Sequence, residues 1–196
     1  HDALPISLFI ADEVQTGFAR SGKMFAIENF DVVPDIMSMA KALGNGAPIS
    51  AFIASGEIAD QYTRPGASTL GGNPVSSTAG LAVLDYIEKH KLMQNSIERG
   101  EQLRAGLREL QKRHPVIGDV RGLGLMDGAE FIHADGSPAP EKLDAVLEAM
   151  KDRGFIIGKN GVNRNVMAFQ PPLVITEENV SEILNALELV LTAHKL

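Results

Sequence analysis

The sequence predicts an α/β chain in two parts, and three observations predict it. Short apolar runs at residues 8–11, 36–39 and 49–54 have the length of buried strands, and the first two lead directly into Asp12 and Lys41. Two long helical patterns follow, over residues 75–90 and 91–113. Beyond Pro115, glycine-spaced strand segments mix with amphipathic helical stretches, which suits a smaller α+β unit joined through those helices.

Composition bounds the function. The 196 residues suffice for one domain or two small ones, and 44% hydrophobic with 22% charged residues are ordinary globular values. A net charge of −7 argues against a nucleic-acid or anionic-membrane partner, which calls for a basic patch. No apolar run approaches the roughly 20 residues of a membrane span. Cysteine is absent, which excludes disulfides and thiolate metal sites, and a cytoplasmic location is the expectation. The five histidines (His1, His90, His114, His133 and His194) lack metal-ligand spacing and read as structural or surface residues.

The elements follow in order. Residues 8–11 are too few to alternate clearly, as in a buried parallel strand, and Asp12 falls at the carboxyl end, where ligands sit in open α/β sheets. Residues 24–30 read as a short helical turn ended by Asp31 and Pro34, and residues 36–39 as the second strand, with Lys41 just after it. A third strand at 49–54 and a short helix at 56–62 follow. Asn73 and Pro74 are a helix cap and a first-turn residue. Val75, Ala79, Ala82, Val83, Tyr86 and Ile87 then share one helical face. Leu103, Leu107 and Leu110 do so in the next helix, which Pro115 ends. Residues 116–132 read as strands, 134–140 as a polar loop, and 141–153 as a helix with Leu143, Val146, Leu147 and Met150 on its stripe. Strands are expected at 155–157 and 166–169, and Thr176 caps a last helix buried through Val180, Ile183, Leu184, Leu187, Val190 and Leu191.

Asp12 and Lys41 carry the chemistry. Lys41 stands between Ala40 and Ala42, with Met39 and Leu43 beyond, and burial there would disfavour its charged form and make it a nucleophilic amine able to form a Schiff base. Taken singly, such a lysine is ordinarily one that snorkels to the surface, and such an aspartate a turn or cap residue. Together they are the two groups a pyridoxal-phosphate enzyme needs: an amine to hold the cofactor, and a carboxylate to keep its ring nitrogen protonated.

The stretch Asp12-Glu13-Val14-Gln15-Thr16-Gly17-Phe18-Ala19-Arg20-Ser21-Gly22 resembles the "DEVQTGFGRTG" signature of class III (omega-type) pyridoxal-phosphate aminotransferases. The run from Pro34 through Lys41 to Gly46 is similar to that family's lysine segment, and Thr69-Leu70-Gly71-Gly72-Asn73-Pro74 to its phosphate-contacting turn. The resemblance runs from about Leu8 to the C-terminus and takes in Val120-Arg121-Gly122-Leu123-Gly124-Leu125-Met126, whose role reads as structural. It implies the C-terminal part of a fold type I, PLP-dependent transferase large domain (residues 1–90), followed by an α+β small C-terminal domain (residues 91–196). It implies pyridoxal 5'-phosphate bound through Lys41, Asp12 at the ring nitrogen, Val14 on the ring face, Gln15 at the phenolic oxygen and Thr69 at the phosphate of a neighbouring subunit, hence a homodimer with shared sites. The family's N-terminal phosphate loop and ring-stacking aromatic have no counterpart here, so the chain reads as the C-terminal half of an enzyme. The first seven residues, His1 to Ser7, do not match the family and resemble a translated adapter scar.

The implied reaction is transfer of an amino group from an amine or amino acid donor to a keto acid. Family members that act on amino acids place an arginine three residues before Pro-Pro-Leu, where this chain has Ala168; the resemblance therefore points away from 4-aminobutyrate- or ornithine-type substrates, with Arg164 the candidate substrate contact. Two alternatives stand beside it. One is another reaction on the same scaffold, by a racemase, mutase or phospho-lyase; the other is a binding and assembly half, inactive without an N-terminal partner segment.

Overall fold

A computed structural model describes residues 7–196; apart from Ser7, the stretch read as an adapter scar lies outside the described residues. Two compact units emerge, one running to Met93 and the other covering Gln94–Leu196.

In the first unit β1 (Ile10–Asp12), β2 (Ile36–Met39) and β3 (Ala51–Ala54) form a sheet in the order β1-β2-β3. β1 and β2 are parallel, with Ile10 opposite Ile36 and Asp12 opposite Ser38, whereas β3 returns antiparallel, with Ala51 opposite Met39. The first strand lies later in the chain than the 8–11 reading. Asp35 accounts for this: its Oδ2 accepts the Phe9 amide at 2.7 Å while its own amide donates to the Phe9 carbonyl at 2.9 Å, so Phe9 is held at the head of the ladder and Asp12 is a paired strand residue.

The expected turn at 24–30 closes as a 3-10 segment, Ala26–Phe30, ended by Asp31 in the left-handed region (φ 54°), and the helix expected over 56–62 is only α1 (Gly56–Ala59). α2 (Pro74–Lys89) begins as expected: the Asn73 side chain accepts the Ser76 amide at 3.0 Å and Pro74 occupies the first turn. Its buried face differs from the apolar stripe read from the sequence. Ser76, Gly80 and Ile87 are buried, while Val75 and Tyr86 are exposed. Small size decides the face, because a Cβ on Gly80 would already lie 3.6 Å from the Leu43 carbonyl and the Ile49 side chain. The helix therefore rests on the turn that follows Lys41.

The second unit is α+β. A four-stranded antiparallel sheet runs in the order β4 (Ile117–Leu123), β5 (Met126–Phe131), β7 (Val166–Phe169), β6 (Gly158–Asn160). Packed with it are α3 (Leu92–Arg113), α4 (Pro140–Lys151) and α5 (Glu177–Ala193). The expected stripes form its core: Leu103, Leu107 and Leu110 from α3, Leu143, Val146 and Met150 from α4, and Val180, Leu187, Val190 and Leu191 from α5. The Thr176 hydroxyl accepts the Asn179 amide at 3.2 Å and caps α5. The strand expected at 155–157 lies instead at β6. Gly154 (φ 88°) reverses the chain after α4 and the Phe155 amide donates back to the Met150 carbonyl at 3.0 Å, so Phe155 and Ile157 lead into the sheet and pack on the core without joining the ladder.

The glycines of the β4–β5 hairpin seat it on α3. A Cβ on Gly100 would stand 1.7 Å from the Gly124 carbonyl oxygen, so helix and hairpin touch backbone to backbone. Arg104, one helical turn on, fastens the contact by donating to the Gly124 carbonyl at 2.9 Å, to Asp127 Oδ1 at 2.6 Å and to Glu101 Oε2 at 3.1 Å. Asp127 is buried, and among the described residues its Oδ2 has no partner. Burial outweighs the pull of Arg104 and pushes the Asp127 carboxyl up to about 6.

Two outcomes follow from this contact. Gly100→Ala should lower unfolding stability by about 3 kcal/mol or abolish folding, read by chemical denaturation, because only backbone stands in the way of the new methyl group. The Asp127 carboxyl takes up its proton more readily folded than unfolded, so its contribution to stability is fully present below about pH 4 and is lost as pH rises through about 6. Asp127→Asn should be less stable throughout yet lack that slope, which denaturation midpoints between pH 4 and 7 will show.

Candidate functional site

Parallel pairing of β1 with β2 brings two strand ends together. Asp12 is the last residue of β1, and Lys41 comes two residues after β2. Ser38, opposite Asp12 in the register, donates its hydroxyl to Asp12 Oδ1 at 3.1 Å, and the Val14 amide donates to the same oxygen at 3.1 Å. Both bonds fall on Oδ1, which leaves Oδ2 to face a further donor. The Glu13 amide donates to the Ser38 carbonyl at 2.9 Å, extending the ladder one residue past the aspartate.

Lys41 opens a short 3-10 turn, Lys41–Leu43, with its backbone in the left-handed region at φ 44°. A β-carbon makes that conformation costly, and residues held there concentrate at functional sites. The turn is anchored on the buried Leu43. Lys41 Nζ donates to Gln15 Oε1 at 3.2 Å, which joins the two strand ends across the sheet. One expectation needs correcting: Lys41 is exposed, not buried among Met39, Ala40, Ala42 and Leu43. Its backbone turns outward as Leu43 turns inward, so the apolar neighbours face the sheet while the amine faces solvent.

Four of the residues singled out in the sequence, Asp12, Val14, Gln15 and Lys41, thus form one group at the carboxyl edge of the parallel pair. Thr69 is exposed in the loop before α2, and among the described residues no hydrogen bond ties it to Asp12, Gln15 or Lys41. Arg164 belongs to the second unit, where it is exposed at φ 56° and donates to the Lys159 carbonyl at 3.2 Å. Ala168, on β7, lies between Gly128 and Gly158 of the neighbouring strands.

Two residues of the group were not singled out in the sequence. Ser38, the hydroxyl that orients Asp12, looks like any small polar residue until the register is known. Glu13 is 3% exposed, and its carboxylate collects three donors: the Ile27 amide at 2.7 Å, the Ala26 amide at 3.0 Å and the Thr16 hydroxyl at 2.5 Å. Strand alternation was the available signal. Residues 11 and 13 face one side and residue 12 the other, so an outward Asp12 makes Glu13 inward, like the buried Ala11.

The sequence profile of the class-III aminotransferases matches residues 6–191. The chain is 45% identical, over 92% of its length, to alanine–glyoxylate aminotransferase 2 homolog 2 (mitochondrial) of Arabidopsis thaliana, and 45% identical, over 94%, to the acetylornithine aminotransferase of Caldanaerobacter subterraneus. It is also 39% identical, over 92%, to the alanine/serine racemase of Pyrococcus horikoshii. It spans 39%, 45% and 38% of those three relatives, less than half of each. A solved phospholyase from Arthrobacter in complex with phosphoethanolamine superposes with a TM-score of 0.92 at 38% identity, covering 95% of this chain and 45% of that one. Match length, fold and the shared strand ends agree, and the chain belongs to the class-III aminotransferase family, whose cofactor is pyridoxal phosphate.

Proposed function

We propose that this chain carries the cofactor-linking lysine of a class-III enzyme, and that the whole enzyme moves an amino group from an amine or amino acid donor to a keto acid. The observation that supports it is the placing of Lys41 and Asp12 at neighbouring strand ends, tied through Gln15 and Ser38. Those residues fit pyridoxal phosphate. A primary amine stands 3.2 Å from an amide oxygen, and on the adjacent strand a carboxylate is fixed through one oxygen with the other available. When bound, pyridoxal phosphate supplies an aldehyde carbon that joins amines and a ring that draws electrons from the substrate carbon.

The chain's own residues would do the rest. Lys41 Nζ would hold the aldehyde carbon until a donor amine takes its place, and the freed amine would then carry a proton from the substrate carbon as base and acid. Asp12 would keep the ring nitrogen protonated, with Ser38 and the Val14 amide holding its carboxylate still. Val14 would pack on the ring and Gln15 would reach the phenolic oxygen. Thr69 would serve the phosphate of a neighbouring copy in a homodimer. Residues 1–90 would complete a large cofactor domain, with residues 91–196 as the small one. Arg164 is the candidate in the second unit for a substrate anion, since Ala168 offers no charge.

Similarity to a phospholyase and to a racemase supports a second reading, in which the same lysine and aspartate serve elimination or inversion. Keto-acid dependence separates the two, because only transamination consumes an acceptor stoichiometrically.

The test of the main reading is the visible absorption of the chain with added pyridoxal phosphate, beside Lys41→Ala. A protein-bound Schiff-base band that vanishes in the variant is the expected result. Identical spectra from both proteins would overturn the assignment of Lys41.

A further inference from the structure

Every polar group of Glu13 is engaged. Its amide donates to the Ser38 carbonyl at 2.9 Å and its carbonyl accepts the Gly17 amide at 3.1 Å. Oε1 accepts the Ile27 amide, and Oε2 accepts the Ala26 amide and the Thr16 hydroxyl. The side chain therefore links the end of β1 to residues 13 and 14 positions further along. The loop between is tightly folded: Phe18 and Ala19 are buried at φ 57° and 71°, the Phe18 amide donates to the Met24 carbonyl at 2.6 Å, and a Cβ on Gly17 would meet the Glu13 carbonyl at 2.9 Å.

A buried carboxylate is an unusual choice for a loop fastener. It is expensive to desolvate, and three donors compensate it only if both oxygens accept. Its place explains the choice. Asp12 precedes it and points to the opposite face, Val14 follows it and donates to Asp12, and Gln15 accepts from Lys41. Pinning Glu13 from behind the sheet fixes the peptide planes on which these side chains stand. We infer that Glu13 is a positioning residue, which through its bonds to Ala26, Ile27 and Thr16 sets the orientation of the Asp12–Gln15 segment toward Lys41 and hence toward the cofactor. The inference rests on the functional reading above and adds to it a residue that touches neither cofactor nor substrate.

Glu13→Gln tests it with almost no change of shape. An amide nitrogen in either oxygen position confronts a backbone N–H, at Ile27 on one side or Ala26 on the other, so one bond is lost whichever way the amide turns. Three quantities are read well below the melting temperature: amide hydrogen exchange at Val14 without cofactor, the rate of cofactor loss, and the pH midpoint of the Schiff-base band. Ile87→Ala, which empties a buried site on α2, serves as a variant of lowered stability without that lesion. The expected result is that Glu13→Gln speeds Val14 exchange, releases cofactor about tenfold faster, and moves the band's midpoint, whereas Ile87→Ala changes melting alone. If the Lys41-dependent band forms and Glu13→Gln matches the unaltered chain in release rate and midpoint, Glu13 is a structural residue and the inference is overturned. If the unaltered chain forms no Lys41-dependent band, the functional reading falls and takes the inference with it.

Discussion

Parallel pairing of two very short strands is the constraint on which the candidate site depends. β1 and β2 align for three residues, Ile10 to Asp12 against Ile36 to Ser38, and that register alone decides which side chains meet. A slip of one residue would send Asp12 to the face that Ala11 and Glu13 now occupy and would part it from the Ser38 hydroxyl. A three-residue ladder has little intrinsic hold on its own register, and the sequence supplies it from outside. Asp35 clamps Phe9 at the start, the Glu13 amide adds a rung at the end, and β3 backs β2 from the other side.

The site and its support thus lie on opposite faces of the same few residues. Alternation along a strand makes this cheap to encode, since Asp12 and Glu13 are adjacent in the chain and point apart. The outward carboxylate keeps an oxygen for a ligand. The inward one is filled by the protein's own donors. Lys41 follows the same economy: Leu43 sinks into the unit, Gly80 lets α2 approach the turn, and the backbone strain at Lys41 is held by packing on either side of it.

Much of this was legible in the sequence, and for identifiable reasons. The helices of the second unit could be read because they are long and bury large residues at regular spacing, and the caps at Asn73 and Thr176 because capping depends on local side-chain chemistry. The face of α2 was misread because its contact is made by what is missing, the side chain of Gly80, while several of its apolar residues stay exposed. The strand expected at 155–157 was misplaced because Phe155 and Ile157 are apolar for the core's sake and not for the ladder's. Asp12, Val14, Gln15 and Lys41 were found through motif resemblance, but the argument that apolar neighbours bury Lys41 failed. Composition along the chain gives no direction to a side chain, and a single left-handed residue turned the amine outward.

The contrast between the chain's two buried carboxylates bears on their roles. Asp127 is shielded with one oxygen bonded to Arg104 and the other without a partner among the described residues, and its carboxyl is pushed up to about 6. Glu13 has both oxygens occupied by donors, two of them backbone amides that no side-chain substitution removes. Under-satisfaction of the first is tolerable because the Gly100–Gly124 contact and Arg104 already hold the hairpin. The second has no such redundancy: in the 13–27 loop, two buried residues at positive φ and a glycine packed against backbone depend on a closure that Glu13 helps to make. A carboxylate so completely bonded, directly beside the residue that would neutralise a cofactor ring, is better suited to fixing geometry than to exchanging protons.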